Sequence, residues 1–301
     1  MVMPVIYRPA RTEDLQRAGE LVVHSLNELC ERHGFAPIAT VRPPTFSQFS
    51  LRDDPNGLWV AEEADQIRGF AFSWVAGELW FLAQLFVSPG QQARGIGREL
   101  LKRTFEHAIK AKTAVKALIT PAFNSVSQGL YIQHGLFPRF PIYSISAERE
   151  ELIKRLSGET LHCEPLENNP YHLDYLAKID ACALGIPRAK HHRFLINDAA
   201  SRGVLLYAAD ECVGYAYVAE GHIGPLAVTR KTALDAAFRA ALKLASSCAS
   251  PHVTAHVPGP CEAALTVAIE NRMRITFPML LMSTSEFGNW TQYLPRNAGF
   301  M

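Results

Sequence analysis

Chemistry in this chain is concentrated first in the stretch "SPGQQARGIGREL", Ser88 to Leu100. Gly95 and Gly97 sit one residue apart where a helix should begin. A glycine inside a helix costs roughly 1 kcal/mol against alanine, so the pair needs a backbone reason. The first turn of a helix offers unpaired N–H groups and the positive end of the helix dipole, which together attract anions. Glycine lets a phosphate approach the backbone closely and tolerates positive φ. A tight strand-to-helix turn with no ligand would use the same residues. Two phosphate motifs do not fit. A dinucleotide fingerprint needs a third glycine where Leu100 stands, and a P-loop needs Lys-Ser or Lys-Thr after Gly97.

Stepping outward, the elements that must position this loop read clearly. A short strand covers Val5 to Arg8. The helix after it starts near Thr12 and stops at Gly34, with Leu15, Ala18, Leu21, Val22 and Leu26 on one face. "RPPTF" (Arg42–Phe46) reads as loop. "GLWVAEE", "IRGFAFSWVAG" and "ELWFLAQLFVSP" are strands, the last two joined by a hairpin turn at "AGE". An amphipathic helix follows from Gly95 to Lys112, with Ile96, Leu100, Leu101, Phe105, Ala108 and Ile109 as its apolar stripe. "AVKALITP" is a buried strand. "SVSQGLYIQHG" is a short helix with Gly135 as its stop. "FPRFPIYSISAE" closes the unit as one or two strands, and "EREELIKRLSGET" connects onward.

From Leu161 the element order restarts, which points to an internal repeat. "GFAF" at Gly69 matches "GYAY" at Gly214, Val87 matches Val228, and Gly135 is set against Asn271. On that alignment the second copy is five residues shorter between the last two anchors, and "TRKTALDAA" replaces the glycine loop. Tyr131 falls on Val267. The chain therefore divides into residues 1–150 and 151–301. The fold class is α/β (α+β), each half having a mixed, mostly antiparallel central sheet flanked by helices.

The fit that remains for "LFVSPGQQARGIG" resembles the acetyl-CoA loop of the GNAT N-acetyltransferases, whose signature is [QR]-x-x-G-x-[GA]. "YRPARTEDL" is similar to that family's opening strand and helix, and "NSVSQGLYIQHGLFP" to its later segment. The resemblance is detailed over Val5 to Ser146. It implies acetyl-CoA as cosubstrate, with no metal. Gln92, Ala93, Arg94, Gly95, Ile96 and Gly97 would bind the pyrophosphate, with Arg98 near the helix start. Phe86 and Val87 would pair through their main chain with the pantetheine arm, and Asn124 would contact the same region. Tyr131 would protonate the departing thiolate, its ordinary pKa near 10 lying above a thiol's ~8.5. The base has several candidates. Gln84 stands where some members carry a glutamate. Glu78, His24, His134 and water are the candidates.

The resemblance extends to tandem two-domain bacterial members. It makes residues 1–150 the catalytic half and 151–301 a degenerate half, forming a wall of the substrate site or a dimer surface. The implied reaction is direct acetyl transfer to a small-molecule or peptide amine in a ternary complex. A non-catalytic acyl-CoA sensor is the alternative.

Bulk properties agree with these expectations. The chain has 301 residues, 48% hydrophobic and 20% charged, with a formal net charge of +1. That balance gives no general field for nucleic acid or an acidic membrane. No apolar run reaches the ~20 residues of a membrane span. The start "MVMPVIYRPA" lacks a signal-peptide layout. Six cysteines without a C-x-x-C pair read as buried free thiols in a reducing cytosol, so a cytoplasmic location is expected. "RAKHHR", including His191 and His192, reads as a solvated basic loop. "NWTQYLPRNAGFM" reads as an irregular tail.

Overall fold

The computed structural model describes residues 4–301. It divides into two compact units. The first runs to Ile119 and includes Phe123–Phe137. The second comprises Thr120–Ala122 and Pro138–Met301.

The first unit begins with β1 (Ile6–Pro9) and α1 (Leu15–Arg32). Their junction is set by one carboxylate. Asp14 accepts two bonds from Arg8, at 2.6 and 2.9 Å, and one from the backbone N–H of Arg11 at 2.7 Å. These bonds hold the Asp14 carboxyl below its usual range, the Arg8 bond being the largest cause. α2 (Thr45–Asp53) follows, so the segment read as loop starts a helix at Thr45. The sheet continues through β2 (Leu58–Glu63), β3 (Gln66–Ala76) and β4 (Leu79–Val87). Then come α3 (Ile96–Lys110), β5 (Val115–Pro121) and α4 (Ser125–Gln133). Strands β1 to β4 pair antiparallel in chain order, whereas β4 and β5 pair parallel.

α3 lies on this sheet because its stripe is apolar: Ile96, Leu100, Leu101 and Ala108 are all buried. Ile96 and Leu100 pack with Ala61 and Ala71 of β2 and β3. Gly69 permits the contact, since a Cβ there would come within 2.8 Å of Leu100 Cδ1.

The second unit takes β6 (Phe137–Glu148) from Pro138 onward, a single strand whose sequence position had suggested it closes the first unit. Then follow α5 (Arg149–Arg155), β7 (His162–Pro165), α6 (Pro170–Ala183), α7 (Ala189–Ile196), β8 (Ser201–Ala208), β9 (Glu211–Ala219) and β10 (His222–Val228). The unit ends with α8 (Leu234–Ser246), β11 (His252–Pro258), α9 (Glu262–Glu270), β12 (Arg274–Ser283) and β13 (Tyr293–Leu294). β7 to β10 pair antiparallel in order, β10 and β11 pair parallel, and β6 pairs antiparallel with β11. The core is the buried face of α8 and α9 against this sheet.

The repeat is visible in the backbone pairing. Gly69 pairs with Val87 in the first unit, and Gly214 with Val228 in the second. One equivalence needs correcting. The left-handed residue after α4 is Gly135, and the left-handed residue after α9 is Arg272 (φ 56°), not Asn271. The partner of Gly135 is therefore Arg272, and Tyr131 matches Ala268 rather than Val267. The second copy is thus four residues shorter between these anchors, not five: Val87 to Gly135 spans 48 positions and Val228 to Arg272 spans 44.

Two further expectations change. "RAKHHR" is not a solvated loop. His191 and His192 lie on α7 and are buried, as is the preceding Arg188. Asp180 of α6 binds Arg188 at 2.8 and 3.1 Å and His192 Nε2 at 2.8 Å, and accepts from the Tyr215 hydroxyl at 2.7 Å. His192 Nδ1 contacts the Tyr217 hydroxyl at 3.0 Å. A buried carboxylate needs such partners to stay charged. Of the six cysteines, only Cys30 and Cys261 are buried. Cys182 is exposed and the others are half-buried.

Candidate functional site

The first unit carries a cleft of about 660 Å³ between α1, the end of β4, the loop into α3, and α4. Its β4 wall lies beyond the point where β4 and β5 stop pairing. They pair from Leu79↔Val115 to Leu82↔Leu118 and no further. Beside that point β4 carries a bulge: Ser73 opposes Leu82 and Phe72 opposes Gln84, leaving Ala83 extra. A bulge bends its strand and re-aims the residues beyond it. Leu85, Phe86 and Val87 then line the cleft. The Val87 carbonyl accepts from Ser25 Oγ at 3.3 Å and from Gln92 Nε2 at 3.4 Å, tying α1 and the loop to the strand end.

The loop delivers the start of α3 to the cleft. Gly95 is the N-cap in a left-handed conformation (φ 81°), and no side chain caps the helix. The first intrahelical bond runs from Glu99 N to Gly95 O at 3.1 Å. The amides of Ile96, Gly97 and Arg98 precede it, so the orphan donors of this helix belong to cleft-lining residues. The two glycines differ in role. Gly95 has open space around it and is needed for its φ. Gly97 is also uncrowded within the protein, a Cβ there lying 3.6 Å from Val87 Cγ2. Its small size leaves room on the cleft side.

Of the loop residues expected to bind a phosphate, Gln92, Ala93, Gly95, Ile96, Gly97 and Arg98 line the cleft. Arg94 does not. Its guanidinium binds Glu63 of β2 at 2.8 Å and also Gln91, which orients it away and anchors the loop. Asn124 lines the cleft, but its Oδ1 caps α4 by accepting from Ser127 N at 3.2 Å. The side-chain amide is the part left to face a ligand.

Tyr131 lies on α4 next to the cleft-lining Leu130; it is only 5% exposed and is not itself among the lining residues. Burial pushes its phenol well above the ordinary value, against a smaller opposing effect of the hydrogen bond with Ser127. It therefore stays protonated at neutral pH, as an acid must.

The structure does not bring the proposed bases to the cleft. Glu78 is exposed in the hairpin turn at the opposite end of β4, where its carbonyl accepts from Val115 N at 3.0 Å. A nine-residue strand separates it from Val87, about 30 Å at the usual rise per residue. His24 is exposed on α1, and His134 is exposed with its ring 5.1 Å from Phe105. Neither lines the cleft. Gln84 is paired within the sheet.

Sequence reasoning missed the contribution of α1. Ser25, Leu29, Arg32 and His33 form one wall. Ser25 and Leu29, then Arg32 and His33, follow the three-to-four spacing of one helical face, which was the available signal. His33 Nδ1 lies 2.9 Å from the Leu29 carbonyl, and its ring packs 4.9 Å from Phe123. Because a carbonyl only accepts, Nδ1 carries the proton there. Arg32, His33 and Arg98 are the ionisable lining residues, and no carboxylate is among them. The wall charge is positive, as an anionic ligand requires.

Uncapped helix amides, a forked parallel strand pair and a basic cleft in the first unit sit within a tandem α/β fold. The comparisons agree. Residues 23–136 match the acetyltransferase (GNAT) family model. Solved structures share the fold over nearly the whole chain. A Pyrococcus horikoshii protein assigned as an acetyltransferase superposes with a TM-score of 0.77 at 16% identity, covering 99% of this chain and 96% of its own. A GCN5-related N-acetyltransferase from Sphaerobacter thermophilus gives 0.61 at 13% identity, covering 95% and 96%. A tandem GNAT protein from the clavulanic acid biosynthesis pathway gives 0.59 at 14% identity, covering 93% and 98%. No curated protein matches the sequence. The acetyltransferase (GNAT) family match falls in the first unit, and the tandem GNAT fold is shared over the whole chain. Among the described residues no helix is long and apolar enough to cross a membrane.

Proposed function

We propose that the first unit transfers an acetyl group from acetyl-CoA to a primary amine. The observation that carries this reading is the uncapped N-terminus of α3, opened by left-handed Gly95 onto a cleft walled by the end of β4 beyond its last pair with β5. The residues fit the cosubstrate's chemistry. Helix amides and Arg98 suit a pyrophosphate, and the main chain at Phe86 and Val87 suits the amides of a pantetheine arm. When bound, acetyl-CoA supplies an activated acyl carbon.

The amine nitrogen attacks that carbon, the C–S bond breaks, and the nitrogen sheds a proton. The Tyr131 phenol donates its proton to the leaving sulfur. Water takes the amine proton, since the cleft offers no carboxylate. The acceptor is a small molecule or a peptide, and the transfer is direct.

A second reading, an acyl-CoA sensor without turnover, is favoured by Gln84 in the central strand and by the missing base. Free thiol release from acetyl-CoA over an amine panel separates the two. Release with at least one amine supports transfer. Tight coenzyme A binding with no release from any amine supports the sensor.

A further inference from the structure

The two units contain the same fork, but only one is open. In the first unit the parallel pairing of β4 and β5 ends at Leu82↔Leu118. In the second, the pairing of β10 and β11 ends at Ile223↔Ala255. These are equivalent positions: the pairs Gly69↔Val87 and Gly214↔Val228 fix one side, and Gly135 and Arg272 fix the other. Both outer strands also carry a bulge just beyond the last pair. Phe86 of the open fork corresponds to Ala227 of the second.

Ala227 is not free for a ligand. β13 lies against it in antiparallel register, with Tyr293 opposite Ala227 and Leu294 opposite Leu226. Val228 N donates to Gln292 O at 3.0 Å, and Gln292 Nε2 donates back to Val228 O at 2.9 Å. Tyr293 and Leu294 are fully buried.

The segment is held from other sides too. Cys261, the N-cap of α9 as Asn124 is of α4, donates through Sγ to Trp290 O at 2.9 Å. Arg188 donates to the Tyr293 hydroxyl at 2.6 Å. Gly224 leaves the passage the tail needs. A Cβ there would sit 2.6 Å from Pro295 O and 2.8 Å from Arg296 Cα.

We infer that the segment 289–296 is a built-in strand that fills the fork of the second unit, in the place where the first unit leaves its cleft. The main-chain groups of β10 that would pair with a ligand pair with the protein's own tail. This half is thereby closed to an acyl-CoA and needs none to complete its sheet, so each chain holds one such site. Only the name of the excluded ligand rests on the proposed function.

Hydrogen exchange read by mass spectrometry on the full chain, with and without coenzyme A, tests this. Without ligand, peptides covering 289–296 and 225–228 should exchange at least about 100-fold more slowly than unstructured peptide, as buried strand amides do. Peptides covering 83–98 should slow only when coenzyme A is added. Exchange of 289–296 at the unstructured rate overturns the inference. So does slowing of 225–228 on adding coenzyme A, because the ligand would then have replaced the tail. If coenzyme A slows nothing, the cofactor reading fails while the tail peptides still decide this one. Gly224→Val should release the tail, raising exchange of 289–296 at least about 10-fold, and leave the coenzyme A response of 83–98 intact. A folded Gly224→Val protein with an unchanged tail overturns the inference. Where that variant does not fold, the wild-type pattern decides alone.

Discussion

At the residue scale the proposed chemistry depends on one phenol and on the absence of a carboxylate from the cleft wall. Removing a general acid typically costs 10²- to 10⁴-fold in rate. Tyr131→Phe should therefore lower kcat by at least about 100-fold, with coenzyme A affinity little changed. An unchanged rate of thiol release would remove Tyr131 from the mechanism. The pH profile tests the base. With water accepting the proton, kcat/KM should keep rising with pH toward the pKa of the free amine, near 10 for a lysine-like acceptor. A plateau well below that range would instead implicate a base on the protein. The sequence suggested Tyr131 through its place in a motif. It could not show that the tyrosine is buried, because burial depends on how α4 seats in the unit. Glu78 failed for a related reason: closeness along the strand's sequence ignored the ~3.3 Å rise of each residue.

At the element scale the start of α3 shows how a loop is tuned. Gly95 holds a left-handed φ that costs an alanine about 1–2 kcal/mol. Gly95→Ala should lower stability by roughly that amount and shift the amides of Ile96 to Arg98. Gly97→Val should act differently. Beyond a helix-propensity change of a few tenths of a kcal/mol, its side chain would intrude on the cleft. Calorimetric coenzyme A binding should weaken at least about 10-fold, beyond the ~1.4 kcal/mol of affinity that factor represents, while the melting temperature without ligand stays close to wild type. Equal loss of stability in both variants would overturn this division of roles. The glycine spacing was legible in sequence. Arg94 turning outward to Glu63 was not, because its partner is 31 positions away.

At the scale of the whole molecule, duplication has left two versions of one frame that solve different problems. Phe70 and Phe72 of the first copy become Tyr215 and Tyr217 in the second. Their hydroxyls, one at each of two alternate strand positions, meet Asp180 and His192. Burial lowers the pKa of both His191 and His192, and only for His192 does the Asp180 hydrogen bond lead the opposing effects. Each ring is thus neutral in the fold, and His192 donates from Nε2 to the carboxylate. A depressed folded pKa means that the unfolded chain binds more protons below the ordinary value near 6.5. Stability is therefore complete above about pH 6.5 and falls as pH drops below it, continuing until the folded pKa values are reached. Denaturant titrations from pH 7.5 to 5 should show this decline, and His192→Gln should lessen it, with His191 and the buried His256, both also lowered by burial, keeping the rest. An acid limb equally steep in His192→Gln would assign the effect elsewhere. Asp180→Ala should cost about 3–5 kcal/mol, since it strands a buried arginine.

By itself, the sequence determined the alternation of strands and helices, the repeat, and the Gly95–Gly97 loop. Each is written in local spacing: a period of two or 3.6, a glycine where φ must be positive, or a motif within ten residues. Only the tertiary structure decided which side chains meet. It brought Ser25 of α1 and the following His33 to the same cleft as the loop, buried Arg188 and His192 against Asp180, moved β6 beside β11, and laid the C-terminal tail into the second fork. Those outcomes depend on long-range pairing, where buried charges and strand edges must find partners whose sequence positions carry no local signal.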